Sequence, residues 1–332
     1  MRIVVALPLQ EVNARLLAEL EPRLEVVYEP ELLGGERDAA GQSAYERMID
    51  SAEALFGVPD SSGRALARTV AANPGLRWVH TIPAGGGQQV KAARLADGDL
   101  ERIVFTTSAG IYAEALAEFA VLGVFAGAKR VGRLLELQSR SEWGGRFQLG
   151  SVRESTVLVV GLGGIGRATA VKLSALGARV VGVHRREVEV PGVERVVPVE
   201  RFAEAAAEAD AIVLCLPGTD ATKGMLSAEV IAAAKPGITI VNVGRGSTVD
   251  EPALIEAMHS GQVGAAVLDV AAVEPLPADH PLWSAPNLLL SPHTAADTPG
   301  DQRAITELVA DNARRLLDGR PLRNVLDTVE FY

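Results

Sequence analysis

Residues 156–186 decide the fold of this chain; they read TVLVVGLGGIGRATAVKLSALGARVVGVHRR. The stretch begins with Thr156–Val160, a short β-branched run that is typical of a buried parallel strand. The pattern then predicts a helix over Ile165–Leu176 and a second buried strand over Arg179–Val183. Between the first strand and the helix lie three glycines in the G-x-G-x-x-G spacing: Gly161, Gly163 and Gly166.

The strand–helix–strand context makes this glycine pattern specific. The first glycine permits a tight turn, the second lets backbone approach a pyrophosphate, and the third lets the helix pack on the strand. The helix N-terminus offers free N–H groups and a partial positive charge, which suit an anion. The alternative is a glycine-rich turn in some other α/β protein, which a lone fingerprint would not distinguish. In this context the stretch predicts a dinucleotide-binding domain.

Length and composition indicate a globular protein of two domains. The 332 residues exceed what one core usually supports, and 48% hydrophobic and 22% charged residues are ordinary proportions. The net charge of −10 argues against nucleic acid or an anionic membrane as a partner. Cys215 is the one cysteine, which suits a reducing cytoplasm. Ala113–Ala128, the longest apolar passage, contains Glu114 and Glu118 and is too short to span a membrane. We expect a cytoplasmic protein without a metal site.

Residues 1–104 alternate short β-rich runs with helical patterns, which predicts a parallel sheet. The amphipathic final helix, Asp301–Leu317, is expected to return to this sheet. We therefore assign residues 1–104 and 299–332 to a substrate-binding domain, with a dinucleotide-binding domain of residues 105–298 inserted between them. The predicted strands of the first domain are Ile3–Leu7, Leu24–Tyr28, Ala54–Val58, Leu76–Thr81 and Ile103–Thr106.

A long helix over Ala113–Gln138 is predicted to lead into the inserted domain. Its surface is more apolar than one domain face buries, so we expect it to serve a homodimer interface. Six strands follow, with the glycine fingerprint after the first, and predict a doubly wound sheet in the order 3-2-1-4-5-6. These strands are Thr156–Val160, Arg179–Val183, Ala211–Leu216, Ile238–Val243, Ala265–Leu268 and Leu288–Leu290.

Unusual polar residues come directly after strands of the second sheet. Arg245 follows the fourth predicted strand and Asp269 the fifth, with Glu274 a little further on. His293 follows the sixth strand. Ligands bind at the carboxyl ends of such strands, so we expect these side chains to converge on the bound dinucleotide.

The types of these residues suit one reaction. An arginine can hold a carboxylate by two charge-assisted hydrogen bonds, and a histidine can exchange a proton near neutral pH. A carboxylate on the far imidazole nitrogen would fix the tautomer. With a nicotinamide they would move a hydride and a proton between a 2-hydroxy and a 2-keto acid. Taken singly, each has a plainer explanation: a solvated arginine, a carboxylate in an exposed turn and a structural histidine.

The chain resembles the D-isomer-specific 2-hydroxyacid dehydrogenases over nearly its whole length. GLGGIG, PGTDATKGM, NVGRGSTVD, LDVAAVEPLP and SPHTA occur in the order and spacing of that family. The resemblance implies a doubly wound Rossmann dinucleotide-binding domain inserted into a flavodoxin-like parallel-sheet substrate domain, a cleft that closes on the ligand, and a homodimer. It also implies that Arg245 binds the substrate, that His293 is the acid/base and that Glu274 is its partner.

The fingerprint and the resemblance together assign cofactor and substrate contacts. The cofactor-binding residues are Gly161, Gly163, Gly164, Ile165, Gly166, Leu216, Pro217, Thr222, Val243, Gly244, Asp269 and His293. Gly85 and Gly86 match the backbone loop that receives the substrate carboxylate, beside Arg245 and His293. In that loop the family's usual Gly-Val-Asp is replaced here by Gly-Gly-Gly-Gln.

The end of the second strand of the inserted domain bears on the choice of nicotinamide. NAD-binding members of the fold carry an acidic residue there, which accepts hydrogen bonds from the ribose 2′-hydroxyl. This chain has His184, followed by Arg185 and Arg186. Because a guanidinium can bind a phosphate bidentately, we predict that NADP(H) is favoured over NAD(H). The alternative is that both arginines face solvent and either cofactor is accepted, with Glu187 and Glu189 weakening the positive field.

The leading functional prediction is an NAD(P)-dependent reductase of a small 2-keto acid such as glyoxylate or hydroxypyruvate. A formate dehydrogenase is less favoured, because that relative pairs its histidine with glutamine and this chain has Glu274. The alternative from another class is a nicotinamide-sensing interaction protein, like the corepressors of the same family. The absence of long disordered tails and of a basic patch in the sequence argues against it.

Overall fold

A computed structural model describes residues 1–34, 36–84, 86–329 and 331. The chain divides into two compact units, one of Met1–Tyr112 with Thr298–Tyr332 and one of Ala113–Asp297. The first break therefore follows Tyr112 instead of residue 104, because the strand Val104–Thr107 belongs to the first sheet.

In the first unit, five described strands form a parallel sheet in the order β2-β1-β3-β4-β5. This flavodoxin-like order confirms the predicted fold class. The strands are β1 (Arg2–Val5), β2 (Glu25–Val27), β3 (Ala54–Phe56), β4 (Trp78–Thr81) and β5 (Val104–Thr107). The helices between them are α1 (Glu11–Leu20), α2 (Ala39–Asp50), α3 (Gly63–Ala72), α4 (Gly87–Ala93) and α5 (Asp97–Arg102), the last of which the sequence pattern does not predict.

Apolar side chains cover both faces of this first sheet. Leu55 and Val79 lie in a core with residues of α2 and α3. Phe56 and Trp78 lie in a second core with Ile305 of the C-terminal helix, Asp301–Leu317, which also packs on α1. This helix therefore packs against the first sheet and α1.

In the second unit, seven strands of the described chain form a parallel sheet in the order β12-β11-β10-β9-β6-β7-β8. The strands are β6 (Thr156–Val160), β7 (Arg179–Val183), β8 (Arg195–Val197), β9 (Ala211–Leu214), β10 (Ile238–Asn242), β11 (Val263–Leu268) and β12 (Leu288–Leu290). The predicted doubly wound architecture is confirmed, but the count of six strands was wrong because β8 was missed. As a result β9 is the fourth strand and pairs with β6, while β8 pairs with β7.

The predicted helix over Ala113–Gln138 is also wrong in its extent. It consists of two helices, separated at Arg130, whose φ of 50° lies in the left-handed region. The small residues of the first helix serve its own unit: a Cβ on Gly127 would lie 2.1 Å from Oγ1 of Thr239 in β10. The helices of this unit are α6 (Ala113–Ala128), α7 (Val131–Ser139), α8 (Gly164–Ala175), α9 (Phe202–Ala206), α10 (Ala228–Ala233) and α11 (Glu251–Ser260). In the described ranges, no helix is long and apolar enough to cross a membrane.

Candidate active site

The three glycines after β6 have the geometry of a dinucleotide-binding turn. Gly161 has a φ of +92°, a conformation that favours glycine in a tight turn. Gly163 is exposed, and a Cβ placed on it meets no atom within 4 Å. On Gly166 a Cβ would lie only 1.9 Å from the carbonyl oxygen of Gly161, so α8 approaches the strand too closely for a side chain. Open backbone beside the start of α8, where Gly164 and Ile165 begin the helix, fits a bound pyrophosphate.

The loops after β9, β10 and β11 pack closely on one another. A Cβ on Gly244 would lie 2.5 Å from the carbonyl oxygen of Leu216, in the loop after β9. A Cβ on Gly246 would lie 2.0 Å from the carbonyl oxygen of Ala271, in the loop after β11. Glycine at both positions lets the loop that carries Arg245 lie between its two neighbours, with Val243 buried at its base.

Arg245 is half-buried and its backbone is firmly held. Its carbonyl oxygen accepts hydrogen bonds from Nδ2 of Asn242 (3.0 Å) and Oγ1 of Thr248 (2.6 Å). One guanidinium nitrogen, Nη1, donates to the carbonyl oxygen of Gly244 at 2.7 Å. Within the part of the chain that the structure describes, no carboxylate lies within 4.0 Å of this guanidinium. An arginine in this state retains donors for an anionic ligand.

His293 and Glu274 form a hydrogen-bonded pair. Nδ1 of His293 lies 2.7 Å from Oε2 of Glu274, and the other carboxylate oxygen accepts the N–H of Ala271 at 3.0 Å. The side chains remain 44% and 37% exposed, so solutes can reach them. His293 has a φ of 56°, a conformation that a non-glycine residue rarely adopts. For Nε2 of His293, the described residues provide no hydrogen-bond partner.

Asp269 is buried, with 1% of its surface exposed, and holds the loop that carries His293. Its Oδ1 accepts the N–H groups of Thr294 (2.9 Å) and Ala295 (3.0 Å) and the hydroxyl of Ser291. Its carbonyl oxygen accepts the N–H of His293 at 2.9 Å. The side chain of Asp269 therefore orients the loop that carries His293.

Two further segments carry predicted cofactor contacts. His184 follows β7 directly, and its Nδ1 accepts the N–H of Arg186 at 3.1 Å, while Arg185 and Arg186 are exposed. In the loop after β9, Oγ1 of Thr222 donates to the carbonyl oxygen of Pro217 at 2.6 Å, which closes this segment into a compact turn. Both segments follow carboxyl ends of strands in the same sheet as the glycine turn.

The predicted substrate loop belongs to the first unit. Gly85 lies outside the described residues. Gly86 is buried at the start of α4, where a Cβ would lie 1.9 Å from Oγ1 of Thr81. This position therefore requires glycine for packing.

Two residues beside the loops of Arg245 and Glu274 were missed by the sequence reasoning. Glu251 begins α11, and His280 directly precedes the turn Pro281–Ser284. An acidic residue at a helix start and a histidine before a proline both look like ordinary end residues, so no local pattern distinguishes them. Among the residues that are described, no cluster of three or more His, Cys, Asp or Glu could hold a metal ion.

Comparison with known proteins identifies the family. Residues 121–295 match the model for the D-isomer specific 2-hydroxyacid dehydrogenase, NAD binding domain. The match covers most of the second unit, including the glycine turn and the Glu274–His293 pair. The chain belongs to the D-isomer specific 2-hydroxyacid dehydrogenase family, a class of NAD(P)-dependent oxidoreductases.

Named relatives and a solved structure agree with this membership. The chain is 30% identical over 220 residues to glyoxylate/hydroxypyruvate reductase A of Serratia proteamaculans, which covers 66% of this chain and 69% of that protein. It is 39% identical over 164 residues to D-3-phosphoglycerate dehydrogenase of Mycobacterium leprae, but spans only 31% of that longer protein. A D-isomer specific 2-hydroxyacid dehydrogenase from Xanthobacter autotrophicus, solved with NADPH and MES, superposes with a TM-score of 0.82 at 28% identity, covering 100% of this chain and 99% of that one.

Proposed function

We propose that this protein reduces a small 2-keto acid to the 2-hydroxy acid with a nicotinamide cofactor. The observation that carries the proposal is the Glu274–His293 hydrogen bond of 2.7 Å, which leaves Nε2 of the imidazole without a partner among the described residues. Glyoxylate and hydroxypyruvate are the first candidates, because a relative at 30% identity bears their names.

Arg245 binds the substrate in this proposal. Its guanidinium has no carboxylate partner in the described chain, and its planar fork suits the carboxylate and adjacent carbonyl of a 2-keto acid. Its backbone is held by Asn242 and Thr248, so the orientation of the side chain's base is fixed before the substrate arrives. Binding of this kind polarises the carbonyl that is reduced.

His293 supplies the proton. Glu274 accepts the Nδ1–H, which directs the exchangeable proton to Nε2. During reduction this proton passes to the carbonyl oxygen while a bound nicotinamide supplies the hydride to the carbonyl carbon. During oxidation Nε2 accepts the hydroxyl proton. Glu274 keeps its hydrogen bond to Nδ1 and so holds the imidazole in place during both directions of the reaction.

We propose NADP(H) as the preferred cofactor. Two observations support this: His184 stands where NAD-binding members of the fold carry an acidic residue, and two exposed cationic residues, Arg185 and Arg186, follow it. The test is the ratio of kcat/KM for NADPH over NADH in the wild type and in His184→Asp with Arg185→Ala. The wild type should prefer NADPH and the double variant should shift towards NADH. A wild type that prefers NADH would refute the preference.

The reaction is tested by mixing the protein with NADPH or NADH and a panel of 2-keto acids while following nicotinamide absorbance. At least one acid should be reduced, and Arg245→Lys should lower kcat/KM by about 10²-fold, because the fork is lost while the charge is kept. Arg201→Lys, an exposed arginine of the same unit, is the matched control. NADPH binding without reduction of any acid would contradict the proposal and favour the nicotinamide-sensing alternative.

We also propose a homodimer formed through the α6–α7 region. Apolar side chains stay exposed on these two helices and on the segment that follows α7: Leu122 (50%), Leu134 (41%), Leu135 (55%), Trp143 (100%) and Leu149 (46%). A second copy of the chain would cover this surface. Light scattering at micromolar concentration should give a dimer mass, and Trp143→Ser with Leu135→Ser should give a monomer. Val12→Ser, which changes an exposed residue of the first unit, is the control. A monomeric wild type would contradict the proposal.

The cytoplasmic location of the protein stays a prediction.

A further inference from the structure

Two consecutive backbone amides after β11 are each held by a carboxylate that also contacts an imidazole. The N–H of Ala271 donates to Glu274, which binds His293. The N–H of the next residue, Ala272, donates to Oε2 of Glu251 at 3.0 Å. Oε1 of Glu251 lies 3.2 Å from Nε2 of His280. The second carboxylate–imidazole pair therefore lies one residue along the backbone from the first.

The hydrogen bond from Leu282 indicates the tautomer of His280. Its Nδ1 accepts the N–H of Leu282 at 3.3 Å, so a ring proton lies on Nε2, the nitrogen that is 3.2 Å from Oε1 of Glu251. The imidazole thus makes two separable contacts: Nδ1 caps the turn Pro281–Ser284, and Nε2 lies within ion-pair distance of Glu251. Glu251 itself is buried, with 9% of its surface exposed, so its carboxylate depends on these partners.

Glu251 also connects the loop that carries Arg245 to the loop that carries Glu274. Glu251 begins α11, shortly after the turn Gly246–Thr248 that follows Arg245. At Gly246 that turn already touches the backbone of Ala271. The carboxylate adds a fixed hydrogen bond between the same two loops, beside the one that Glu274 makes.

We propose that Glu251 and His280 are positioning residues for catalysis: they hold the backbone at Ala272 so that Glu274 stays on Nδ1 of His293. The inference rests on the proposed function, because it assigns a purpose to the Glu274–His293 pair. A carboxylate that orients a reacting imidazole gains from a second layer of hydrogen bonds that limits its own motion. Loss of this layer lowers turnover without removing any group that touches substrate or cofactor.

Two substitutions separate the tasks of His280 without changing formal charge. In His280→Gln the side-chain amide reaches the position of Nε2 and donates to Glu251, while the cap at Leu282 is lost. In His280→Asn the side-chain oxygen accepts the N–H of Leu282, while nothing reaches Glu251. Glu251→Gln is the third variant: its amide oxygen still accepts from Ala272, but its NH₂ group faces the Nε2–H of His280.

We expect His280→Asn and Glu251→Gln to lower kcat by about tenfold, with KM and the Kd of NADPH within about twofold of wild type. His280→Gln should retain most of the wild-type kcat. A second readout does not need turnover. The chain has five histidines, so long-range ¹H–¹⁵N spectra of the ¹⁵N-histidine-labelled protein resolve each imidazole. The signal of Nδ1–H at His293 should weaken in His280→Asn and persist in His280→Gln.

If His280 only caps the turn Pro281–Ser284, the two His280 variants should rank in the opposite order of kcat. If His280→Asn keeps wild-type kcat and the His293 signal while His280→Gln loses both, capping of Pro281–Ser284 is the whole role of His280 and the inference fails. It also fails if all three variants match the wild type, or if kcat falls only in step with Tm. The proposed function is judged separately: an inactive wild type would refute it, whereas an active wild type with silent variants refutes the positioning role alone.

Discussion

A buried histidine in the first sheet makes the stability of the first unit depend on pH. His80 is fully buried in β4, with Nδ1 2.9 Å from Oγ1 of Thr106 and Nε2 3.1 Å from Oγ of Ser108. The indole of Trp78 donates to the same Thr106 hydroxyl at 2.8 Å, so both ring nitrogens of His80 and this hydroxyl belong to one buried hydrogen-bond network. Burial lowers the pKa of His80 to about 3, because the charged imidazole would lose its hydration.

The lowered pKa of His80 determines how much stability the first unit loses at low pH. The pKa of an unfolded histidine is about 6.5, so below that pH the unfolded chain binds a proton that the folded chain does not bind. The stability is full above about pH 6.5 and falls by about 1.4 kcal/mol per unit below it, which amounts to about 2 kcal/mol between pH 7 and pH 5. The loss would end only near the folded value of about 3.

Denaturation of the wild type and of His80→Gln at a series of pH values measures this pH-dependent part of the free energy of unfolding. Tryptophan fluorescence reports on the first unit, because Trp78 is fully buried whereas Trp143 and Trp283 are 100% and 58% exposed. The free energy of unfolding of the wild type should fall relative to the variant by about 2 kcal/mol from pH 7 to pH 5. His259→Gln removes an exposed imidazole and should show no such difference. Parallel curves for the wild type and His80→Gln would show that burial of this imidazole does not make the stability depend on pH.

Two further predictions concern backbone packing and a buried ion pair. Gly166→Ala should sharply lower Tm, because its Cβ would meet the carbonyl oxygen of Gly161 at 1.9 Å. Gly163→Ala should keep the wild-type Tm and lower the affinity for NADPH. A wild-type Tm for Gly166→Ala would contradict the first prediction. Glu21 is buried against Arg23, whose hydrogen bonds hold the pKa of this carboxyl below its usual range. Glu21→Gln should therefore lower the free energy of unfolding by about 1–3 kcal/mol at pH 7, measured by the same fluorescence experiment. The difference should shrink as the pH falls below the usual carboxyl range, because the wild-type carboxylate is then protonated and loses the same interaction. An unchanged stability would show that the pair contributes nothing.

The success of the sequence reasoning depended on how strongly each element is marked locally. The strand–glycine–helix unit from Thr156 carries turn, packing and periodicity signals in one stretch, and its strands were predicted with the observed bounds. By contrast β8 has three residues, of which only Val197 is buried, so it leaves no period-2 pattern. The break at Arg130 involves neither glycine nor proline, and helix-forming residues continue on both sides.

The candidate active site also contains residues that the sequence pattern marks and residues that it does not. Arg245 and His293 follow strands, so topology alone brings them to one sheet edge. The second pair, Glu251 and His280, depends on how the loops fold back on one another, and the residues in contact are far apart in sequence. Only the three-dimensional structure reveals that Glu251 accepts the N–H next to the one that Glu274 accepts.

The role of His293 as the proton donor is tested by His293→Gln, assayed with the best 2-keto acid and NADPH. We expect kcat/KM to fall by about 10²- to 10⁴-fold, because the proton donor assigned to the carbonyl oxygen is removed. The Kd of NADPH, measured by fluorescence on the same samples, should stay within about twofold of wild type, since the glycine turn is untouched. A variant that retains kcat/KM within tenfold of wild type while binding NADPH normally would show that His293 is not the proton donor.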